Sequence, residues 1–314
     1  MTNVPTIDLS KLDQDALSQI DRACRDHGFF LVINHGLEEH LAKLQKEAAG
    51  FFAHPMAVKR QVMRTADNPM GYYDRELTKQ KRDLKEVFDF YAPRTEGNFG
   101  RMPWPQDEPA FRDVLCDYFY ASGDLSKRLV KILCQTLGQA EDSLDSAFSE
   151  APTSTARLNH YPSSDHLEPE EQAKVEALGD MALGHHTDPG AITLLYQDDV
   201  GGLETHSDED GWIPVPPVPG AIVVNVGDVM QVWSNGQYKA AIHRVVPVPA
   251  GKSRYSMPFF FQPSATALIE PIAALGAPKY RPFTWKEFIQ GRIDDNFANI
   301  GEDDIQVDRY KIAS

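Results

Sequence analysis

Two short segments of this chain place a histidine two residues before an aspartate, an arrangement that could bind a divalent metal ion. They are His186-x-Asp188 and His206-x-Asp208. Imidazole and carboxylate are both common metal ligands, and residues i and i+2 of an extended chain point to the same side. Each segment could therefore offer two ligands to one ion, with the intervening residue pointing away.

The residues that follow each pair distinguish the two segments. His206-x-Asp208 is followed by the acidic sequence EDG, which is typical of a solvent-exposed turn. His186-x-Asp188 is followed by Pro-Gly and then by the apolar run AITLL, which predicts a buried strand. We therefore expect His186 and Asp188 to be metal ligands and His206 to lie at an exposed hairpin tip.

A candidate third ligand lies in another strand-like segment, KAAIHRVVPV, at His243. Two histidines and one carboxylate on one face of an octahedron leave three positions open. This is the arrangement of non-haem iron(II) oxygenases. The residue types therefore indicate an iron site formed by His186, Asp188 and His243.

Two further pairs of polar residues have the same alternating spacing. Arg254 and Ser256 form one pair, and Asn159 and Tyr161 form the other. Each pair points to one face of a predicted core strand, and a buried arginine requires an anionic partner. Arg254 and the Ser256 hydroxyl could bind one carboxylate. A structural salt bridge at Arg254 is the alternative.

The elements that must position these residues change in type near Pro152. Before it, the periodicity predicts mainly helices, at 13–26, 38–52 and 107–138, with strands at 28–36 and 83–91. After it, short β-type runs alternate with turns, and a last helix is expected at 284–293. The β-type runs are 155–161, 191–197, 202–206, 221–226, 239–246 and 254–261. Many short strands with regular turns predict a sandwich or jelly roll.

Composition restricts the possible partners and the compartment. The chain has 314 residues and a net charge of −15, which argues against nucleic acid or an anionic membrane as a partner. Its three cysteines are widely spaced and form no CxxC motif, which indicates reduced thiols. The N-terminal residues do not resemble a signal peptide, and no apolar stretch is long enough to cross a bilayer. We expect a cytoplasmic protein.

Taken together, these segments resemble the iron(II)- and 2-oxoglutarate-dependent oxygenases of the plant-hormone and flavonoid type, a group that includes isopenicillin N synthase. The segments that carry the resemblance in the C-terminal half are RLNHYP, HHTDPGAITLLYQDDVGGLETH, NVGDVMQVWSNGQYKAAIHRV and RYSMPFFFQP. The matches in the N-terminal half are GFFLVINHG, FFAHPMAVK, GYY and LKEVFDF. The resemblance covers nearly the whole chain.

The resemblance implies a role for each residue that matches the family motifs. His186, Asp188 and His243 would bind iron, and His185 would line the site without binding the metal. Arg254 and Ser256 would bind the distal carboxylate of 2-oxoglutarate. In the same co-substrate pocket, the lining residues would be Asn159 and Tyr161. The gap between His243 and Arg254 is longer than is usual in the family, and we interpret the extra length as a longer hairpin.

The implied fold is a mainly β core, a distorted jelly roll or double-stranded β-helix, with surrounding helices and an α-rich N-terminal region. We divide the chain into an N-terminal domain (1–150), an iron- and 2-oxoglutarate-binding core (151–270) and a C-terminal helix and tail (271–314). The implied reaction uses Fe(II), 2-oxoglutarate and O2, with ascorbate as an accessory reductant. It oxidises a substrate C–H bond and releases succinate and CO2; hydroxylation is the default, and desaturation or cyclisation are alternatives.

The substrate is expected to be a small organic molecule in an apolar, aromatic pocket. The candidate contacts are Tyr72, Tyr73, Phe88 and Phe261, together with the region 297–310. Each of these aromatic residues could equally belong to the core. We expect a monomer or a weak homo-oligomer.

Two other functions agree with the same residues. The first is a cupin-like protein that binds a metal without turnover, although the Arg254 and Ser256 pair argues against it. The second is an oxidase of the isopenicillin N synthase or amino-cyclopropane oxidase type, which does not consume 2-oxoglutarate. The Arg-x-Ser pair is present in those oxidases as well, so it does not separate the two reactions.

Overall fold

The structure, a computed structural model, describes residues 4–78, 81–92, 102–148, 153–298 and 307–312, with the backbone alone described for 293–298. The α-helices are α1 Gln14–Asp26, α2 Glu38–Phe52, α3 Met56–Lys59, α4 Pro109–Thr136, α5 Pro169–Gln172, α6 Asp228–Trp233 and α7 Trp285–Ala298. The first eight strands are β1 Thr6–Asp8, β2 Phe29–Ile33, β3 Gly71–Tyr73, β4 Leu77–Thr78, β5 Lys81–Arg82, β6 Glu86–Phe90, β7 Thr155–Tyr161 and β8 Leu183–His186. The other eight are β9 Ile192–Gln197, β10 Leu203–Ser207, β11 Gly211–Pro214, β12 Ile222–Val226, β13 His243–Val245, β14 Arg254–Phe261, β15 Leu268–Ile269 and β16 Phe283–Thr284.

Two sheets form the β core. The larger has eight strands in the order β1-β2-β12-β9-β14-β7-β6-β3, and every pairing in it is antiparallel except β1 with β2. The smaller has four antiparallel strands in the order β11-β10-β13-β8. Two facing antiparallel sheets are the architecture of a jelly roll.

Alternating side chains on the strands of the large sheet pack against different partners. Phe29 and Leu31 of β2 lie in a cluster with Leu203 of β10 and Val245 of β13, so this face packs on the small sheet. Phe30 of β2 belongs instead to the larger cluster, which also contains buried residues of α1, α2 and α4. The period of two in a strand therefore gives the large sheet one helix-covered face and one face that forms the interior of the roll.

Most of the predicted elements are confirmed. The helices predicted at 13–26, 38–52 and 107–138 are α1, α2 and α4, and their observed ends lie within two residues of the predicted ones. The last predicted helix corresponds to α7, which continues five residues beyond 293. Among the described residues, no helix combines the length and apolarity that crossing a bilayer requires.

The strands of the small sheet differ most from their predicted positions. β8 and β11 were not predicted, and β13 has three residues where a strand over 239–246 was expected. β8 has the sequence LGHH, and β11 has the sequence GWIP. Neither has the alternating apolar pattern that predicts a strand.

The N-terminal region contributes strands as well as helices. β1, β2, β3 and β6 all belong to the same eight-stranded sheet as the strands after residue 152. The N-terminal region has the predicted helices, and its strands extend the core sheet at both edges. The division at residues 150 and 270 stays a prediction.

A buried charge network joins the N-terminal elements to β7. Glu86 of β6 accepts hydrogen bonds from Lys59 Nζ and Tyr72 Oη, and its other oxygen lies 2.8 Å from His160 Nδ1. Burial opposes ionisation of the carboxyl, but the hydrogen bond from His160 and the Lys59 ammonium outweigh it and lower the pKa of Glu86 to about 2. Glu86 is therefore ionised in the folded protein throughout the neutral range.

We expect this network to make the protein sensitive to acid. The folded-state pKa of Glu86 lies below its ordinary value of 4.5, so its contribution is complete above that pH and is lost as the pH falls toward about 2. At ~1.4 kcal/mol per pKa unit, the contribution is about 3 kcal/mol. Urea unfolding of Glu86→Gln should show a lower free energy of unfolding at pH 7 and a shallower loss between pH 5 and pH 3. Equal acid slopes in the variant and the wild type would contradict this assignment.

Candidate metal centre and co-substrate pocket

The structure brings the three predicted metal ligands together. His186 ends β8, His243 begins β13, and the two residues are paired directly across the antiparallel ladder. Asp188 Oδ1 lies 3.7 Å from His186 Nε2 and 3.9 Å from His243 Nε2. One ligand atom from each of the three residues lies within 4.8 Å of the others, and no other such cluster occurs in the described ranges.

Each imidazole is oriented by a carbonyl group two residues before it. His186 Nδ1 lies 2.9 Å from the Gly184 carbonyl oxygen, and His243 Nδ1 lies 2.9 Å from the Ala241 carbonyl oxygen. A carbonyl oxygen only accepts, so Nδ1 of each ring must have the proton. The Nε2 atom of each neutral ring then has a free lone pair that points toward Asp188. These hydrogen bonds therefore select the tautomer that a metal site requires.

The second oxygen of Asp188 is fixed by two side chains of the large sheet. Asp188 Oδ2 accepts hydrogen bonds from Thr193 Oγ1 at 2.6 Å and from Asn225 Nδ2 at 2.9 Å. These contacts occupy Oδ2 and leave Oδ1 facing the two histidines. Asp188 is thus oriented as a ligand that binds through one oxygen.

The turn after Asp188 is held by backbone contacts with the start of α6. The amide of Asp228 donates to the Asp188 carbonyl at 2.8 Å, and the amide of Gly227 donates to the Ala191 carbonyl at 3.0 Å. A side chain at Gly227 would place its Cβ 2.2 Å from the Gly190 carbonyl oxygen, closer than any side chain allows. Glycine at this position is therefore required for the ligand turn to pack on α6.

The electrostatic environment favours the metal-binding protonation states of His186 and Asp188. Burial lowers the pKa of His186, so its ring is neutral at physiological pH. Burial alone would raise the pKa of Asp188, but the two imidazoles and its hydrogen bonds hold it below the usual value. The carboxylate is therefore ionised, and Nε2 of the neutral His186 ring can act as a ligand.

Thr193→Val should weaken Fe(II) binding while leaving the fold intact, because the two side chains have similar shapes but valine cannot donate to Asp188. Loss of a group that orients a ligand costs roughly 10- to 100-fold in metal affinity or activity. Anaerobic Fe(II) titration measures the change. Thr205→Val is the matched control, since Thr205 is a buried strand threonine whose hydroxyl donates to the Ile242 carbonyl and not to a ligand. Equal iron affinity in both variants would contradict the orienting role of Thr193.

The second His-x-Asp segment lies outside the cluster. His206 belongs to β10, and its ring packs edge-on against Trp212 at 5.2 Å. Asp208 is exposed in the turn between β10 and β11 and pairs with Lys239. The acidic turn predicted after His206 is the turn between β10 and β11, so this segment lies on a hairpin. His185, which precedes the first ligand, lines the cavity next to the site.

Arg254 is the residue whose surroundings point most directly to a missing anion. Its side chain is 1% exposed, yet Nε and Nη1 have no hydrogen-bond partner among the described residues. Its one hydrogen bond joins Nη2 to Gln197 Oε1 at 3.3 Å, and its guanidinium lies 4.9 Å from the centre of the Tyr161 ring. A buried cation with unused donors is costly unless a ligand supplies the acceptors.

Strand register places the other predicted co-substrate residues beside Arg254. On β14 and β7, Arg254 pairs with Tyr161 and Ser256 pairs with Asn159. Asn159 Nδ2 donates to Ser256 Oγ at 3.3 Å. All four residues line the cavity that contains the three metal ligands. The pocket therefore fits a small dicarboxylate with one end at Arg254 and the other at the metal position.

The cavity has a volume of about 480 Å³, enough for a small molecule beside the co-substrate. Tyr73, one of the predicted substrate contacts, lines it. Tyr72, Phe88 and Phe261 lie instead in the buried core, which corrects their prediction as substrate contacts. Apolar side chains without a polar tip gain most from close packing, and Tyr72 directs its hydroxyl to Glu86 rather than to the cavity.

The wall of the cavity also corrects the expected apolar pocket. The residues that line the cavity between positions 64 and 85 are Arg64, Tyr73, Arg75, Glu76, Leu77, Thr78, Asp83 and Lys85. Five of these eight side chains are charged, so an apolar, aromatic pocket is wrong for this side. The predicted C-terminal contact region 297–310 is described only at 307–310 beyond the backbone of α7. There Tyr310 stacks on Phe283 at 3.9 Å, while residues 299–306 and the side chain of Phe297 lie outside the described residues.

Three residues of the site were missed from the sequence. Thr193 and Asn225 hold Asp188, and Gln197 contacts Arg254. Each is a buried polar side chain in a largely apolar strand, ITLLYQ or IVVNV. A polar residue in such a strand must find a partner inside the protein, and that signal could have identified all three.

Two family models match the chain, and together they include most of it. Residues 152–263 match the 2OG-Fe(II) oxygenase superfamily, and residues 4–107 match the N-terminal region of the non-haem dioxygenase in morphine synthesis. The first match contains the metal cluster and the Arg254 pocket. The second contains the charged wall of the cavity.

Individual relatives support the same relationship along the full chain. The homoarginine-6-hydroxylase 2-ODD-233 of Oryza sativa subsp. japonica is 32% identical over 94% of this chain and 98% of its own. Among solved structures, JOX2 in complex with 2OG, Fe and JA is 31% identical, with a TM-score of 0.79 over 92% of this chain and 84% of that chain. A full-length Neurospora crassa protein in complex with alpha-KG is 26% identical, with a TM-score of 0.79 over 94% of this chain and 96% of that chain. These similarities confirm the predicted double-stranded β-helix, and the chain belongs to the 2OG-Fe(II) oxygenase superfamily.

Proposed function

We propose that His186, Asp188 and His243 bind Fe(II) in this oxygenase and that the chain oxidises a C–H bond of a small organic molecule. The convergence of Nε2, Oδ1 and Nε2 on one point, with each side chain already oriented by another hydrogen bond, supports this assignment most strongly. Three protein ligands on one face leave the remaining positions of the metal for the co-substrate and O2. Hydroxylation is the expected outcome.

The residues around Arg254 are suited to 2-oxoglutarate. The Arg254 guanidinium would receive the distal carboxylate, because its Nε and Nη1 donors have no partner among the described residues. The Ser256 hydroxyl lies on the same face of β14 and would donate to the same carboxylate. When bound, iron and 2-oxoglutarate together supply the activation of O2, with succinate and CO2 as co-products.

Side chains of the protein orient the groups that bind the co-substrate and limit the water in the pocket. Asn159 positions Ser256 by donating to its hydroxyl, and Tyr161 covers the face of the Arg254 guanidinium. Leu195, Leu203 and Val245 line the cavity with apolar surface and limit the water near the metal position. Such exclusion of water strengthens every charged contact in the pocket.

A substrate screen scored by succinate release tests this function. Purified enzyme is supplied with Fe(II) and 2-oxoglutarate, with ascorbate as reductant, and each compound is scored by succinate above the background without substrate. The panel begins with L-homoarginine, because a relative at 32% identity is named as a hydroxylase of that compound. Absence of succinate under every condition, with iron bound, would favour a metal-binding protein without turnover.

The same proposal includes a cytoplasmic location and a monomeric or weakly homo-oligomeric state. Cys24, Cys116 and Cys134 are free thiols, and we propose a cytoplasmic location because a reducing compartment keeps thiols in this state. All three metal ligands and the Arg254 pocket come from one chain, so a monomer or a weak homo-oligomer is sufficient for the reaction.

A further inference from the structure

The charged wall of the cavity restricts the class of substrate that can bind more than the metal centre restricts it. It lies on the N-terminal side of the cavity, where two carboxylates and three cations face the space that the co-substrate does not require. Burying an unpaired charge against an apolar molecule is costly. The groups that still lack partners therefore indicate what the substrate must offer.

Glu76 has no capacity left for a ligand. Its carboxylate accepts two hydrogen bonds from Arg157, at 2.7 and 3.0 Å, and one from Arg64 at 3.1 Å. Lys85 Nζ lies 3.0 Å from its second oxygen. These cations lower the pKa of Glu76 well below its usual range although burial opposes the shift. A cationic substrate group would have to displace one of these partners.

Asp83 is engaged through one of its two oxygens. Its Oδ2 atom accepts from Thr78 Oγ1 at 2.9 Å and lies 3.1 Å from Lys85 Nζ. Lys85 thus bridges the two wall carboxylates and is itself 3% exposed. Each wall carboxylate therefore already pairs with at least one cation of the protein.

Arg64 is different, because most of its donors are not used within the protein. Its guanidinium lies 3.4 Å from the centre of the Tyr73 ring, so one face is covered by an aromatic side chain. Among the contacts of the described residues, its side chain donates a single hydrogen bond, from Nη1 to Glu76. A guanidinium stacked on a ring still presents its edge, a planar fork that matches a carboxylate.

We propose that the substrate is a small carboxylic acid whose carboxylate binds the edge of Arg64. This inference rests on the proposed function, since it concerns the substrate of the same site. Tyr73 holds the guanidinium flat, and Glu76 fixes one end of it through Nη1. The C–H bond that reacts belongs to the part of the acid that extends from Arg64 toward the metal ligands in the same cavity.

Matched pairs of compounds test the substrate class. A library of small carboxylic acids is assayed beside the primary amide of each acid, with succinate release as the readout. The acids should stimulate release and their amides should not, because an amide has the same shape without the negative charge. Amides that stimulate as well as their acids would overturn the proposal, as would a library in which only uncharged compounds are active.

Equilibrium binding tests the role of Arg64 independently of turnover. The enzyme is loaded with Ni(II), which occupies such sites without redox activity, and with 2-oxoglutarate. The best acid of the library is then titrated by calorimetry. Arg64→Gln should weaken its binding by about a hundredfold, as for loss of one partner of a buried charge pair. Arg64→Lys, which keeps the charge but loses the fork, should fall between Arg64→Gln and the wild type.

Arg281→Gln is the matched control, because Arg281 also lies over an aromatic ring, that of Tyr310, but does not line the cavity. It should bind the acid as tightly as the wild type. Unchanged affinity in Arg64→Gln would overturn the proposal. Loss of acid binding in Arg292→Gln alone would also overturn it, since Arg292 lines the cavity near Thr187. The charge-transfer band of Fe(II) with 2-oxoglutarate tests the proposed function separately. If the band forms but the enzyme does not respond to any acid, only the proposal of a carboxylic acid substrate is contradicted.

Discussion

His186→Ala, Asp188→Ala and His243→Ala should each abolish turnover and leave Fe(II) bound too weakly to measure at micromolar protein. Each change removes one of three ligands whose atoms lie within 4.8 Å of one another. Loss of a group that merely orients a ligand already costs roughly 10- to 100-fold, so loss of the ligand itself should cost at least about a hundredfold. Anaerobic Fe(II) titration and succinate release give the two readouts.

The same measurements on His206→Ala form the control. His206 belongs to the other His-x-Asp segment, and its ring contacts Trp212 rather than the cluster. This variant should bind iron and turn over as the wild type does. A loss of iron in His206→Ala equal to that in His186→Ala would show that the wrong segment was chosen. Zn(II) should bind the wild-type site without supporting turnover, because affinity there depends on ligand type and turnover depends on redox chemistry.

The metal ligands could be predicted from the sequence because their signal is local. His186 and Asp188 are two residues apart, and the apolar strand β9 follows them directly. The pairing of His243 with His186 is not local, since it depends on the antiparallel register of β13 with β8. The strand-like segment around His243 made this residue only a candidate, and the family resemblance supported its choice as the third ligand.

The charged wall of the cavity could not be predicted in the same way. Arg157 lies 81 residues from its partner Glu76 in the sequence, and Arg64, Glu76 and Arg157 are each typical of exposed surface residues. Only the sheet order β7-β6-β3 brings their segments to one side of the cavity. In contrast, Phe88 and Phe261 were assigned to the cavity on residue type, although aromatic side chains are more often core. Sequence periodicity predicts which residues are buried, but it does not show whether a buried side chain faces the core or a ligand.

Replacement of Arg254 is the second change for which we expect a large effect. The side chain is buried and has unused donors, so a structural role is difficult to explain. A structural salt bridge would require a carboxylate of the protein beside Nε or Nη1, and none of the described residues supplies one. Gln197 provides only a neutral acceptor at 3.3 Å. The charge of Arg254 therefore has no anionic partner among the described residues, and the distal carboxylate of 2-oxoglutarate has the matching charge and geometry.

Arg254→Gln, which removes the charge, should therefore weaken the binding of 2-oxoglutarate by roughly 10²–10³ or more, and Arg254→Lys should fall between Arg254→Gln and the wild type. An ammonium is a point charge that cannot reproduce the guanidinium fork, and breaking a buried charge pair costs roughly 3–5 kcal/mol. At ~1.4 kcal/mol per tenfold, that cost gives the stated range. Ser256→Ala should cost less, about 1.5–3 kcal/mol, as for one hydrogen bond to a charged group. Iron binding should survive all these changes, because neither residue is a metal ligand.

The measurement is an anaerobic titration of the Fe(II) enzyme with 2-oxoglutarate, followed through the charge-transfer band. Arg82→Lys is the control for loss of a buried arginine, since Arg82 is 2% exposed and pairs with Asp165 outside the cavity. It should lower stability without changing the affinity for 2-oxoglutarate. Wild-type affinity in Arg254→Gln would mean that Arg254 is structural and that the co-substrate binds elsewhere. Absence of the band in the wild type at millimolar 2-oxoglutarate would place the enzyme with the family oxidases that do not use it, because an intact iron site with the co-substrate bound to iron must produce that band.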